Sequence, residues 1–211
     1  MPDSPIPVLV ASRNPGKVRE IADLLPGDSR LSFHTLDELG ISPQPGEEGV
    51  EIHETFAENA HAKAAFFHPL SDGWVLAEDS GLCMDALGGA PGVRSKRFSG
   101  RADLAGKELD RANNDALLRA LKEVPGERRG AEFRCAVVLL APDGRAETSG
   151  GVCRGRIRTR PGGGRGFGYD PLFVPEGFDR TMAELRPEEK HAISHRGRAF
   201  RKLAERLVGL T

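Results

Sequence analysis

Neither sign of charge dominates this chain: 30 Lys and Arg face 31 Asp and Glu, a net charge of -1 with histidine neutral. That balance argues against a general nucleic-acid or membrane-surface binder, so any anion site has to be built locally. Cysteine is scarce. Cys83, Cys135 and Cys153 are an odd number with no C-x-x-C pair, which suggests neither a disulfide framework nor a thiolate zinc site and fits a reducing compartment. No apolar run approaches membrane-spanning length, and the opening MPDSPIPVLVAS has neither a basic n-region nor a long apolar core; the expectation is a soluble, cytoplasmic protein. No internal repeat or long low-complexity tract appears. With 211 residues the chain can bury a substantial core as one domain, or as two lobes sharing a sheet, without a linker between independent domains.

What is present is an interleaving of strand and helix patterns. Val8 to Ala11 reads as a first strand, and Val18, Ile21, Ala22 and Leu25 then recur at helical spacing. Thr55 with Glu58 forms a capping-box pattern for a second helix that ends near Pro69, with Phe56, Ala60, Ala64 and Phe67 inward. A long helix is expected from about Ala102 to Val124, with Leu109, Ala112, Ala116, Leu117, Ala120 and Leu121 on its buried side. Arg134 to Ala141 and Glu147 to Arg156 read as partner strands around a Pro142-Asp143-Gly144 turn. A Gly-rich loop from Pro161 to Pro171 leads into a short strand, Leu172 to Val174, and a last helix begins near Ser194 with Phe200, Leu203, Ala204 and Leu207 inward. The fold class is α/β.

The stretch WVLAEDSGL is the most telling. An apolar run, Trp74 to Ala77, meets two adjacent carboxylates, Glu78 and Asp79, followed by Ser80 and Gly81. This predicts a buried strand whose C-terminal end delivers acid to a rim, the place where ligands bind in α/β sheets. Acids so placed hold Mg²⁺ or take a proton from water, because hard oxygen ligands suit a hard cation that also bridges phosphates. The plainer alternative is a solvated loop start.

Four further segments bear on chemistry. In SRNPGK, Asn14 can cap a helix, Pro15 takes its first position and Lys17 sits in the first turn. Unpaired N–H groups and the positive dipole end then meet Ser12, Arg13 and Lys17 at a candidate phosphate site, or the pattern serves helix stability alone. It is not a Walker A loop, since no Gly opens it and no Ser or Thr follows Lys17. In ETFAENAHAKA, Asn59 and Lys63 share a face; Lys63 either reaches a phosphate or belongs to a solvated stripe. GGGRGFGYDP runs into a strand, against a dinucleotide fingerprint, so its glycines either admit a flat ligand, with Phe167 as a stacking platform and Asp170 as an acceptor, or form a hairpin with Phe167 and Tyr169 packed inward. In EEKHAISHRG, Lys190, His195 and Arg196 cluster at a helix start where cations oppose the dipole, which favours ligand contact over a structural His and a surface Arg.

Together SRNPGKVREI, TFAENAHAKA, LAEDSGLCMDALGGAPGVRSKRFSG, FGYDPLF and EEKHAISHRG occur in the order found in the inosine triphosphate pyrophosphatase family, which the chain resembles along nearly its whole length. The resemblance implies an elongated mixed β-sheet flanked by helices, in one ITPase-like domain of two lobes with a central nucleotide cleft. It implies a homodimeric, Mg²⁺-dependent hydrolase that cleaves ITP, dITP and XTP to the monophosphate and pyrophosphate by water attack at the α-phosphorus. Carried over by position, it puts the triphosphate on Ser12, Arg13, Asn14, Pro15, Gly16 and Lys17 with Lys63 nearby, makes Asp79 the proton acceptor and a metal ligand, and gives Ser80 a substrate contact. Phe167, Gly168, Tyr169 and Asp170 match the base loop, and Lys190, His195 and Arg196 the remaining nucleotide contacts. Glu51 fills the second metal position, with Glu54 its competitor because Ile52, His53 and Glu54 depart from the usual Thr-Gly-like turn. His195 and Arg196 would donate to purine O6, an acceptor in hypoxanthine and xanthine but replaced by an amino donor in adenine. Two alternatives stand beside this: a pyrophosphatase for modified pyrimidine triphosphates, and a nucleotide-binding sensor without catalysis.

Overall fold

The computed structural model describes residues 5–25 and 31–207. Six strands, β1 (Ile6–Val10), β2 (Leu31–Thr35), β3 (Trp74–Met84), β4 (Gly130–Leu140), β5 (Ala146–Ile157) and β6 (Phe173–Pro175), lie in the order β2-β1-β3-β4-β5-β6. The sheet is mixed: β1 pairs parallel with β2 and β3, and β5 pairs antiparallel with β6. Among the described residues five α-helices accompany it, α1 (Pro15–Leu24), α2 (Phe56–Phe67), α3 (Gly106–Ala120), α4 (Pro187–Ile193) and α5 (His195–Leu207). None among the described residues is long and apolar enough to cross a membrane.

The chain divides into two compact units, residues 1–79, 135–151 and 196–211 in the first and residues 80–134 and 152–195 in the second; the divisions fall inside β3, β4 and β5 and between His195 and Arg196. In the first unit the continuous apolar runs are explained by burial on both faces of parallel strands. Side chains alternate between faces along a strand. Leu9, Ala11, Val75, Ala77, Ala136 and Val138 pack with Ala60, Ala64 and Phe67 of α2. Val8, Val10, Leu76, Val137 and Leu139 pack with Ile21 of α1 and Ala199, Phe200 and Leu203 of α5. In the second unit Leu82, Met84, Phe133, Tyr169 and Phe173 gather with Leu117 and Leu121.

Several boundaries differ from the sequence expectation. β3 does not stop at Ala77; it runs through Glu78, Asp79, Ser80 and Gly81 to Met84, because Leu82 and Met84 supply a second buried segment. α3 is shorter than expected and Ala120 is exposed, while Asn113 and Asn114 are buried. β2 and α4 had no strong periodic signal. At α2 the Thr55 hydroxyl accepts from Glu58 N (3.2 Å), but the Glu58 carboxylate accepts from that hydroxyl (2.7 Å) rather than from the Thr55 amide, so the capping box is half formed. Phe200 and Leu203 of α5 are buried and Ala204 half-buried, as expected; the side chain of Leu207 lies outside the described residues. All three cysteines are free and buried.

Candidate active site

The alternation of β3 sends its two acids to opposite faces. Glu78 follows Val8, Val10 and Leu76 toward α1 and α5, whereas Asp79 follows Val75 and Ala77 toward α2. Both are buried, Glu78 at 2% exposure and Asp79 at 5%, so the acidic pair is not the open rim that the sequence suggested. Ion pairing makes this burial tolerable. Glu78 lies 3.0 Å from Lys17 Nζ and accepts from Arg196 Nη2 at 3.2 Å, and the Cys135 thiol donates to it at 3.3 Å. Burial alone would raise its pKa, but Arg196, Lys17 and Lys63 together hold it well below the usual carboxylate range. Asp79 is placed differently. Burial raises its pKa and the charge of Glu51 adds to the rise, against the pull of Lys17 and Lys63. Asn59 Nδ2 donates to Asp79 Oδ2 at 3.0 Å, and Lys17 Nζ stands 3.9 Å from Oδ1. Asp79 is thus an oriented carboxylate with enhanced proton affinity; Glu78 is a fixed anion.

Lys17 reaches these acids because α1 starts where β1 ends. Asn14 is the N-cap, and Pro15 occupies the first turn. The Asn14 Oδ1 accepts from both Gly16 N (2.9 Å) and Lys17 N (3.1 Å), so the N–H groups expected to await an anion are capped by the protein itself. An anion at this terminus would therefore meet the dipole and side chains, above all Lys17. Burial opposes the Lys17 charge, yet Glu78, Asp79 and Glu51 outweigh it, and its pKa is raised. Ser12 Oγ accepts from Asn14 N (3.3 Å). Arg13 turns to the segment after β2: it donates to both Glu47 oxygens (3.0 and 3.2 Å) and to Ile41 O (2.6 Å), and its guanidinium lies 5.9 Å from the Phe67 ring centre.

From α2, Lys63 donates to the Glu78 carbonyl at 3.0 Å and forms an ion pair with Glu51. Glu51 is half-buried and electrostatically coupled to Asp79. No cluster of three or more His, Cys, Asp or Glu side chains suited to an ion occurs among the described residues. Two carboxylates, Asp79 and Glu51, nevertheless fit a hard divalent cation that completes its shell with water and phosphate oxygens. Burial is the main reason that the Asp79 pKa is raised, and the charge of Glu51 adds to it; a bound cation would offset both.

Arg196 is 1% exposed; Nη1 donates to Glu20 Oε2 at 2.5 Å and Nη2 to Glu78. The sequence offered Arg196 as a donor to a base, but its Nη atoms are engaged by two carboxylates of the first unit. Glu20 carried no sequence signal beyond its place on α1, one position before the buried Ile21. Asn59 was visible only as a polar residue one turn from Lys63.

In the second unit, Lys190 of α4 lies 2.5 Å from Asp170 Oδ2 and 5.4 Å from the Phe167 ring centre. The same Asp170 oxygen accepts from Phe167 N at 2.9 Å. Gly166 has φ 74° and a Cβ there would come within 2.0 Å of Asp170 Oδ2, while at Gly163 (φ 76°) it would meet the Ala183 carbonyl at 2.4 Å. These glycines are required by the protein's own close approaches, not only by a ligand. Tyr169 is buried and its hydroxyl donates to Ser95 O at 2.8 Å, so it packs inward; Phe167 is half-buried. The His195 ring stacks on Phe133, with centroids 4.8 Å apart and planes at 15°. Ser80 is half-buried in β3.

Fold and site define an α/β protein of a particular kind: its first unit joins a helix N-terminus and lysines to an oriented carboxylate, and its second carries an aromatic and acidic loop backed by a lysine. The chain belongs to the Ham1 family, whose profile matches residues 8–206. It is similar to the dITP/XTP pyrophosphatase of Frankia alni, at 50% identity over 197 residues covering 93% of this chain and 95% of that protein. Among solved structures it resembles a HAM1 protein from Coxiella burnetii, with TM-score 0.82, 35% identity and coverage of 97% and 99% of the two chains. It also resembles a nucleoside-triphosphatase / dITP/XTP pyrophosphatase from Mycobacterium abscessus, with TM-score 0.71, 42% identity and coverage of 94% and 97%. The resemblance read from the five sequence motifs is borne out.

Proposed function

We propose that this chain hydrolyses deaminated purine nucleoside triphosphates, ITP, dITP and XTP, to the monophosphate and pyrophosphate, as a single ITPase-like domain whose two lobes are the two units. The relatives in Frankia alni and Mycobacterium abscessus, both named as dITP/XTP pyrophosphatases, support the substrate class. The observation that carries the chemistry is Asp79, buried, raised in pKa and held by Asn59 at 3.0 Å, with Lys17 Nζ 3.9 Å away. Its orientation by Asn59 and its place beside Lys17 aim this carboxylate to accept a proton from water. In this reading Asp79 takes a proton from water as the water oxygen forms a bond to the α-phosphorus and the bond from that phosphorus to the α,β-bridging oxygen breaks. The bond pair leaves with pyrophosphate, whose charge meets Lys17, Lys63 and the positive end of α1. Glu78 stays ionised and keeps Lys17 protonated and in place, rather than sharing the base's task.

Asp79 and Glu51 would hold Mg²⁺, which when bound spreads phosphate charge and helps acidify water. Ser12, Asn14 and Gly16 shape the turn that presents Lys17, and Arg13 ties that turn to Glu47. For the base, the reading gives Phe167 the stacking face, Asp170 and Lys190 the polar edge, and Ser80 a contact to the nucleotide. The O6 donor is His195, because the Nη atoms of Arg196 are paired with Glu20 and Glu78. Homodimerisation and a cytoplasmic place, with no nucleic-acid or membrane partner, complete the proposal.

Hydrolysis of ITP in ¹⁸O-water tests the bond that breaks. Attack at the α-phosphorus puts the label in inosine monophosphate. Label found in pyrophosphate, or release of orthophosphate, would overturn the assignment.

A further inference from the structure

The segment from Pro161 to Asp170 carries five glycines, and Gly163, Gly166 and Gly168 adopt φ of 76, 74 and 58°. Such a segment has much backbone freedom to lose and needs holding. One residue in it is held from both sides by one helix. Gly168 N donates to Asp110 Oδ2 at 2.8 Å, and Gly168 O accepts from Asn114 Nδ2 at 2.9 Å. Asp110 and Asn114 are one helical turn apart on α3 and share a face. Asn114 Nδ2 also donates to Asp110 O at 2.9 Å, while its buried Oδ1 has no hydrogen-bond partner among the described residues. The amide is therefore oriented by what it donates. Burial lifts the Asp110 carboxyl above its ordinary value, although the Gly168 N–H and Lys96 pull the other way. The adjacent Asn113 repeats the device, holding Ser99 N (2.8 Å) and Lys96 O (3.1 Å) close in sequence to Ser95, whose carbonyl accepts from Tyr169. The polar face of α3 thus grips the loop directly at Gly168, and nothing in the phosphate chemistry uses Asp110 or Asn114.

We propose that Asp110 and Asn114 are positioning residues for base selection. By fixing both polar groups of Gly168 they set the Phe167 ring on one side of it and, through Tyr169, the Asp170 carboxylate on the other, an inference that rests on the base-loop reading above. Their loss changes how well and how selectively the purine is held, and leaves the step at phosphorus alone.

The experiment compares the full-length wild type with Asn114→Asp, Asp110→Ala and Asp110→Asn, measuring kcat and KM for ITP and GTP and amide hydrogen exchange across the loop. Asn114→Asp keeps size but turns a carboxylate oxygen toward the Gly168 carbonyl; Asp110→Asn keeps an acceptor for Gly168 N. For Asn114→Asp and Asp110→Ala the expected result is a KM for ITP raised about tenfold, an ITP-over-GTP preference reduced about tenfold, and kcat within about twofold of wild type. Exchange at residues 167–170 accelerates in both, and exchange in α2 does not. Asp110→Asn restores near wild-type values. An active wild type whose Asn114→Asp and Asp110→Ala variants keep KM and preference, or lose only kcat, overturns the inference alone. A wild type that turns over neither ITP nor XTP overturns the underlying reading and the inference with it.

Discussion

Arg196→Met removes the guanidinium between two buried carboxylates while keeping an unbranched apolar side chain of comparable reach. Arg196 is 1% exposed, donates to Glu20 at 2.5 Å and to Glu78 at 3.2 Å, and Glu20 and Glu78 are themselves 8% and 2% exposed. Breaking a buried ion pair from one side costs about 3–5 kcal/mol. Lys17, 3.0 Å from Glu78, remains to neutralise one of the two acids, so the loss should fall at the lower end of that range. For a chain of this size it lowers Tm by roughly 10 °C. Urea unfolding followed through the fluorescence of Trp74, the single tryptophan, packed against the same core as Ile21 and Phe200, reads the loss directly. The pH dependence carries a second signature. Burial pushes Glu78 up, but Arg196, Lys17 and Lys63 pull its folded pKa below its ordinary 4.5. Its contribution to stability is therefore full above pH 4.5 and is lost as pH falls from there through its folded pKa; in Arg196→Met the folded pKa rises, so this pH-dependent contribution is smaller and its loss is complete at a higher pH. The double variant that also carries Glu20→Gln recovers part of the stability, since Glu20 is then neutral while Glu78 keeps Lys17 as its partner. Unchanged unfolding free energy in Arg196→Met, within about 0.5 kcal/mol as for an ordinary surface substitution, would refute the account of why β3 can bury an acid.

Two other outcomes follow from the geometry. Asp79→Asn keeps the shape and the Asn59 neighbour but removes the base, and kcat should fall by about 10²-fold or more with the fold intact by circular dichroism; full turnover would remove Asp79 from the mechanism. Gly166→Ala places a methyl within 2.0 Å of Asp170 Oδ2 at a φ of 74°, so stability should fall by about 1–3 kcal/mol in urea, and KM for ITP should rise with it. A neutral substitution there would mean that the loop does not depend on that close approach.

What could be read from the sequence follows from which interactions are local. β1 and α1 were legible because a strand buried on both faces is a continuous apolar run, and because Asn14 and Pro15 carry the helix start in adjacent residues. α2 was legible through Thr55 and its apolar spacing. β3 past Ala77 was not, since a carboxylate in a strand looks like its end until Lys17 and Arg196, far away in sequence, are known to meet it. The divergence of Glu78 and Asp79 did lie within reach, because alternation along a strand separates adjacent residues whatever surrounds them. The burial of Asn113 and Asn114 on α3 carried no signal in the apolar spacing, and only the carbonyls and amides they hold explain it. The helix N-terminus was read as open when its own cap satisfies it. In the base loop, Tyr169 follows the inward-packed alternative through Ser95, and the glycines are set as much by Asp170 and Ala183 as by any ligand.

The most direct measurement is pyrophosphate release from a panel of ITP, dITP, XTP, GTP, ATP and modified pyrimidine triphosphates, with Mg²⁺ and after its removal by chelation. The expected result is Mg²⁺-dependent pyrophosphate, equal in amount to the monophosphate formed, with kcat/KM for ITP and XTP about tenfold or more above that for GTP and ATP. Comparable kcat/KM across the purines, or a preference for a pyrimidine, would contradict it.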